Sequence, residues 1–225
     1  MAKITMHDGS VQEVSEDDEL YLSTLRHSCS HVLAQAVKHL YPNAKLAIGP
    51  TIADGFYYDI DFETPISDKD LDAIETEMRK IVKAKEKFEY FSLPREEAIK
   101  LMQEKEEPYK VELIEDLPEG ELISFFKQGD FTDLCAGPHL QTTGEVGKAF
   151  KLRSLAGAYW RGSEKNKMLT RIYGTAFKTK EELQAYLDMM EEAKKRDHRK
   201  IGKELGLFMF SEYGPGFPFF LPNGM

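Results

Sequence analysis

The 225-residue sequence predicts an α+β fold: an antiparallel β-sheet with helices packed on one side, followed by a long linker helix. Three observations carry that expectation. The segments 24–41 and 67–88 repeat apolar residues at helical spacing. Residues 122–177 are short apolar runs separated by Gly-rich turns, a β pattern. From residue 179 a highly charged stretch keeps helical periodicity for several turns.

Taken in chain order, KITMHDGSVQEV alternates about a DGS turn and signals a hairpin. A lone hairpin is marginal in water, so this piece either leans on another element or is a remnant. Residues 24–41 form a helix ended by Pro42. AKLAIGPTIADGFYYDIDF follows as strand, turn and strand; Phe56, Tyr58, Ile60 and Phe62 share one face, with Tyr57, Asp59 and Asp61 on the other. In SDKDLDAIETEMRKIVKAKEKF, Ser67 and Asp70 have capping-box spacing and Leu71, Ile74, Met78 and Ile81 form the apolar stripe of a helix. FEYFSL is a strand, PREEAIKLMQEKE a helix with Pro94 at its first position, and KVELIEDL another strand. LISFFKQGDFTDL, KAFKLRSLAGAYWRG and KMLTRIYGTAF supply further strands. TKEELQAYLDMMEEAKKRDHRKIGKEL opens on a second capping box, Thr179 and Glu182. The tail GLFMFSEYGPGFPFFLPNGM is apolar and rich in Gly and Pro, and reads as the opening of another domain.

Charged residues make up 31% and hydrophobic residues 41% of the chain, as in a soluble globular protein. The formal net charge of −9 argues against a surface that grips nucleic acid everywhere, but not against contact with one end of an RNA. Two cysteines, Cys29 and Cys135, are too few for a disulfide framework and point to reduced thiols. No apolar run reaches membrane length and the N-terminus lacks the form of a signal peptide, so a cytoplasmic location is expected.

Within LRHSCSHVLAQAVKHLYP, His27 and His31 are four residues apart and therefore neighbours on one helix face. On a helical wheel with His27 at zero, Leu25, Cys29, Val32, Leu33, Ala36, Val37 and Leu40 fall roughly between 140° and 280°, and His31 at about 40°. The pair is expected off the apolar stripe, either facing solvent or facing a site. A distant stretch, DFTDLCAGPHL, repeats the spacing with Cys135 and His139, where Gly137 and Pro138 rule out a regular helix. Two helical histidines with a Cys and a His from a loop make a three-nitrogen, one-sulfur set. It suits a tetrahedral zinc ion. It equally suits a metal-free site in which imidazoles and a thiol hold water and move protons.

RHSCSH, AIGP, GFYYDID, EPYKVEL, DLCAGPHL, GAYWRG, KMLTRIYGTAF and KRDHRKIGKEL together resemble the N-terminal, editing region of bacterial threonyl-tRNA synthetases. The arrangement is similar also to the editing domains of alanyl-tRNA synthetases. The resemblance covers about residues 22–210. It implies hydrolysis of serine wrongly attached to tRNA(Thr), at the ester on the 3′-terminal adenosine. An active site that accepts threonine rejects the smaller serine by only about 1–3 kcal/mol, so a second, hydrolytic site is needed. By the same resemblance the parent enzyme ligates threonine to tRNA(Thr) using ATP.

The resemblance also assigns roles. His27, His31, Cys135 and His139 line the pocket; His27, Cys135 and His139 hold or activate water, and His31 positions substrate. Lys110 steadies the oxyanion or protonates the leaving group. Gly49 lets backbone approach the adenosine, Tyr58 is a pocket tyrosine, and Asp133 accepts a hydrogen bond from the seryl amino group. Trp160 and Arg161 contact RNA by stacking and by a phosphate contact, or are core and surface residues. The basic run at 194–203 lies near the acceptor stem or is a solvated helix face.

The implied organisation is a remnant N-terminal hairpin at 1–20, an editing domain at 21–177, a linker helix at 178–205 and the truncated start of an aminoacylation domain at 206–225. Editing is expected to need no cofactor, although His27, His31, Cys135 and His139 also suit zinc; ATP and a further zinc belong to the aminoacylation domain. The expected partners are the tRNA(Thr) acceptor end and a seryl-adenosine moiety, with a homodimeric parent enzyme and no membrane. The competing functions are a non-catalytic module that binds the tRNA acceptor end and a structural zinc-binding domain.

Overall fold

A computed structural model describes residues 1–225, which divide into two compact units, Met1–Lys180 and Glu181–Met225. In chain order the first unit contains β1 (Ala2–Thr5), β2 (Val11–Val14), α1 (Glu19–Leu40), β3 (Lys45–Leu46), β4 (Thr51–Ile52), β5 (Gly55–Asp61), α2 (Asp68–Ala84) and β6 (Glu89–Leu93). It continues through α3 (Arg95–Glu104), α4 (Pro108–Asp116), β7 (Ile123–Gln128), β8 (Phe131–Leu134), β9 (His139–Leu140), β10 (Phe150–Tyr159) and β11 (Met168–Ala176). Then follow α5 (Lys180–Lys195), α6 (His198–Glu204), β12 (Phe208–Phe210) and β13 (Pro218–Phe220).

The fold is α+β with antiparallel sheets. The main sheet runs β10-β11-β5-β3, with β4 folded back on β5. The alternation in GFYYDID works as the sequence implies: Phe56, Tyr58 and Ile60 are buried on one face. That face meets the two long helices, Leu33 and Val37 of α1 and Ile74 and Met78 of α2, together with Phe150, Leu152 and Ile172 from the neighbouring strands. Ser67 and Asp70 form the expected capping box of α2. Two smaller sheets complete the unit, β6-β7-β8 and β2-β1-β9. The N-terminal hairpin thus gains a third strand: Ile4 and Thr5 pair with Leu140 and His139.

Three local expectations need correction. Helix α1 begins at Glu19 rather than near residue 24, because Asp18 caps it by accepting the Leu20 N–H at 2.9 Å. Its polar face is not outside the core either: Arg26, His31 and Gln35 are buried with Leu33 and Val37, since other elements cover the helix on both sides. KVELIEDL is the body of helix α4, not a strand. Pro108 sits in its first turn, where a missing N–H does no harm. Helical spacing puts Tyr109, Lys110 and Ile114 inside, whereas a strand would have sent Tyr109 and Lys110 to opposite faces.

The charged run after residue 179 is helical as α5 and α6, interrupted at Arg196 and Asp197. Asp197 restarts the helix by accepting the Arg199 N–H at 2.8 Å. In the second unit β12 and β13 pair antiparallel, and Tyr213, Phe217 and Phe220 remain exposed. No helix is long and apolar enough to cross a membrane.

Candidate active site

The elements that carry the predicted site residues converge. Helix α1 supplies His27 and His31, β5 supplies Tyr58, α4 supplies Lys110, β8 supplies Asp133, and the loop into β9 supplies Cys135. These side chains and Gly49 line a cavity of about 300 Å³, bounded also by Ile48, Leu113 and Ala136. His139 joins the cluster but does not line the cavity. It is fully buried behind Cys135, stacked on Phe88 at 4.8 Å and against Phe126 at 4.4 Å.

One wall of the cavity is uncharged. The ring centroids of His27, His31 and His139 lie 4.2–5.2 Å apart. Cys135 Sγ is 3.4 Å from His27 Nε2 and 3.2 Å from His139 Nε2. Ser28 anchors the far side of His139. Its Oγ accepts the Leu140 N–H at 3.1 Å and lies 3.1 Å from His139 Nδ1. Sγ accepts the Gly137 N–H at 3.1 Å and lies between the His27 and His139 rings. Burial, assisted by the Lys110 charge, lowers His27 to about 4 and, with His27 adding to it, lowers His31 to about 3. Burial and the other two rings hold His139 well below the usual histidine range. Burial pushes the Cys135 thiol up to about 12. The wall is therefore two neutral imidazoles and a thiol near neutral pH, backed by the neutral ring of His139.

The facing wall is ionic. Lys110 Nζ lies 2.6 Å from Asp133 Oδ1 and donates to Tyr58 Oη at 3.0 Å. Tyr58 Oη donates to Asp133 Oδ2 at 2.5 Å. Burial raises the Asp133 carboxyl, but Lys110, His31 and the Tyr58 hydroxyl together outweigh it and the group sits below the usual carboxylate range. Burial, and then Asp133, hold the Tyr58 phenol well above its ordinary value.

This geometry adds to three assignments. Asp133 holds Lys110 with one oxygen and Tyr58 with the other, so the carboxylate orients the ammonium. Gly49 is required by the protein itself: a Cβ there would stand 2.3 Å from the Tyr58 ring. Its carbonyl is held by Ser30 Oγ at 3.0 Å. Trp160 is a core residue, packed with Ala47, Tyr109 and Leu169 and donating to Glu112 Oε2 at 2.9 Å. Arg161 beside it is paired with Asp116. Ser28, Phe88 and Phe126 escaped sequence reading because a serine and two phenylalanines carry no signal until a histidine lies against them.

The donor atoms of His27, His31, Cys135 and His139 all lie within 4.8 Å of one another. A tetrahedral zinc ion with bonds of about 2.0–2.3 Å spaces its ligand atoms roughly 3.3–3.8 Å apart. The set fits such an ion after a small contraction, with Ser28 able to turn and accept from His139 Nδ1. Held by all four donors, zinc would supply a structural cross-link; with one donor released, it would supply an acidified water.

Comparison with known proteins agrees with this site. The family described as the threonyl and alanyl tRNA synthetase second additional domain matches residues 123–173, the stretch that holds Asp133, Cys135 and His139. Over 219 residues, 97% of this chain, the sequence is 65% identical to a threonine–tRNA ligase of Acetivibrio thermocellus, of which it covers 34%. It is 66% identical over 218 residues to the threonine–tRNA ligases of Clostridium tetani and of Clostridium botulinum strain Kyoto, again 97% of this chain and 34% of each ligase. Over residues 123–173 the chain is thus similar to the second additional domain of threonyl and alanyl tRNA synthetases. Over nearly its whole length it is similar to threonine–tRNA ligases, and it spans about a third of the length of those relatives.

Proposed function

We propose that this chain is the editing part of a threonine–tRNA ligase, which hydrolyses the ester between serine and the 3′-terminal adenosine of tRNA(Thr). In this reading residues 21–177 carry the hydrolysis, 178–205 link, and 206–225 open the aminoacylation domain. The observation that carries it is the cavity of about 300 Å³ with neutral imidazoles on one wall and a fixed ammonium on the other. Ester hydrolysis needs both: a base that is unprotonated at neutral pH and a cation where negative charge develops.

In the mechanism, a water near His27 gives its proton to the imidazole as its oxygen bonds to the ester carbonyl carbon. Negative charge then gathers on the carbonyl oxygen. Lys110 has two N–H groups directed at Asp133 and Tyr58, and its third donor is available to that oxygen. Collapse breaks the bond to the ribose oxygen, which takes the proton back from His27. Serine and a free 3′ end leave. Cys135 Sγ lies 3.4 Å from His27 Nε2, and the His31 and His139 rings pack against His27 and hold its orientation.

The test is deacylation of purified Ser-tRNA(Thr) and Thr-tRNA(Thr). The expected result is release of serine at least tenfold faster than threonine, lost in His27→Ala. No release of either amino acid would favour a binding module. The donor set supports a second reading, a structural zinc domain. Metal analysis and melting with and without chelator decide it: one zinc per chain and unfolding on its removal would displace the metal-free reading.

A further inference from the structure

A second cavity, of about 280 Å³, shares a wall with the first. Leu113, Leu134, Cys135 and Ala136 line both, so the two cavities meet back to back across these side chains. Beyond the shared wall, the second cavity is bounded by Leu117, Glu121 and Leu122, and by His7 from the turn of the N-terminal hairpin. Nothing in the hydrolysis described above uses it.

The hairpin is fixed in position to offer His7. Strand β1 pairs with β9, the strand that begins at His139, and Gln141 Nε2 donates to Thr5 Oγ1 at 2.9 Å. The turn rests on the ring of Tyr90, which leaves no room for a side chain at Gly9: a Cβ would lie 2.6 Å from that ring. His7 itself is exposed, and Leu122 is 41% exposed, an apolar side chain held open to solvent beside the cavity. The lining holds no lysine or arginine, so it suits no phosphate. Leucines and Ile123 dominate it, with Ser124, one imidazole ring and one carboxylate. That is the chemistry of a nucleobase site: leucine and imidazole for the flat face, and Glu121 as acceptor for an exocyclic amine of cytosine or adenine.

We propose that this cavity holds the base of the nucleotide next to the one bearing the ester, so that the N-terminal hairpin is part of the RNA site. The inference rests on the editing reading, because it assumes an RNA 3′ end in the adjoining pocket. Stacking of one base on one side chain is worth about 1–3 kcal/mol by alanine substitution, or roughly 5- to 150-fold.

Two measurements on the whole chain test it. The first uses an uncharged single-stranded RNA with 2-aminopurine at the penultimate position. The expected result is fluorescence quenching on binding that is reduced in His7→Ala and Leu122→Asp and restored in His7→Phe. The second compares hydrolysis of a seryl ester of adenosine with that of a seryl ester of a longer RNA. His7→Ala should lower kcat/KM at least fivefold for the longer RNA, through KM, and leave the adenosine ester unchanged. Unquenched 2-aminopurine, or equal losses on both esters, overturns the proposal. Quenching without hydrolysis of either ester would instead remove the editing reading and leave the base site standing.

Discussion

On one wall of the pocket His27, His31 and Cys135 stay uncharged, while on the other Lys110 and Asp133 face each other as ions; His31, Lys110 and Asp133 are equally buried, at 2–3% exposure. Burial acts on both walls in the same sense, against charge. The difference lies in the partners. The imidazoles have mainly one another and a thiol for neighbours, so a proton on one ring is opposed by the next, and Asp133 at 3.8 Å from His31 relieves only part of this. Asp133 has an ammonium at 2.6 Å and a phenol at 2.5 Å, and stays ionised. Neutral bases and a rigid cation across one small cavity follow from which side chain touches which.

The contrast can be broken most severely from the ionic side. Lys110→Met leaves Asp133 charged, buried and unpaired, and should destabilise the fold by about 3–5 kcal/mol in urea unfolding. Lys110→Met combined with Asp133→Asn should recover much of that loss; a single variant as stable as the parent would show that the ion pair does not hold this wall. On the neutral side, His27→Ala should lower deacylation by about 100-fold or more in single-turnover assays, with a smaller change in stability. Full activity in that variant would remove His27 as the proton acceptor.

Acid sharpens the comparison without any mutation. His27 and His31 sit at about 4 and about 3 in the folded protein, against about 6.5 in the unfolded chain. Between those values the unfolded chain binds more protons, so stability is complete above about pH 6.5 and falls as pH drops through the interval. Each histidine contributes a slope of up to about 1.4 kcal/mol per pH unit. Unfolding free energies measured at pH 7, 6 and 5 should decline in that order; a flat profile would mean that the rings are charged, or solvated, when folded. The smallest expected effect is Ser28→Ala, about 1 kcal/mol from the lost hydrogen bonds. In that variant ¹⁵N spectra of His139 should show a changed distribution of the proton between Nδ1 and Nε2, and an unchanged one would show that Ser28 does not direct it.

Much of the fold was legible because periodicity survives folding. The alternation of GFYYDID gave β5 and its buried face, and the Ser67–Asp70 spacing gave the start of α2. The site was legible through its rarer side chains: the spacings His27–His31 and Cys135–His139 are visible in one dimension, and the four meet in space. KVELIEDL misled because a short apolar run fits both periods, and the choice of helix came from Tyr109 and Ile114 finding separate cores beside α4. The wheel of α1 misled because it assumes one buried face, and this helix has two.

By itself the sequence determined most element types, the chemistry available and the residues able to supply it, since those depend on local spacing and side-chain identity. Tertiary structure alone decided that Asp133 pairs with Lys110, that Gly49 makes room for Tyr58, and that the N-terminal hairpin joins β9. These outcomes depend on contacts between residues far apart in the chain, where distance and burial, not residue type, fix charge, orientation and access.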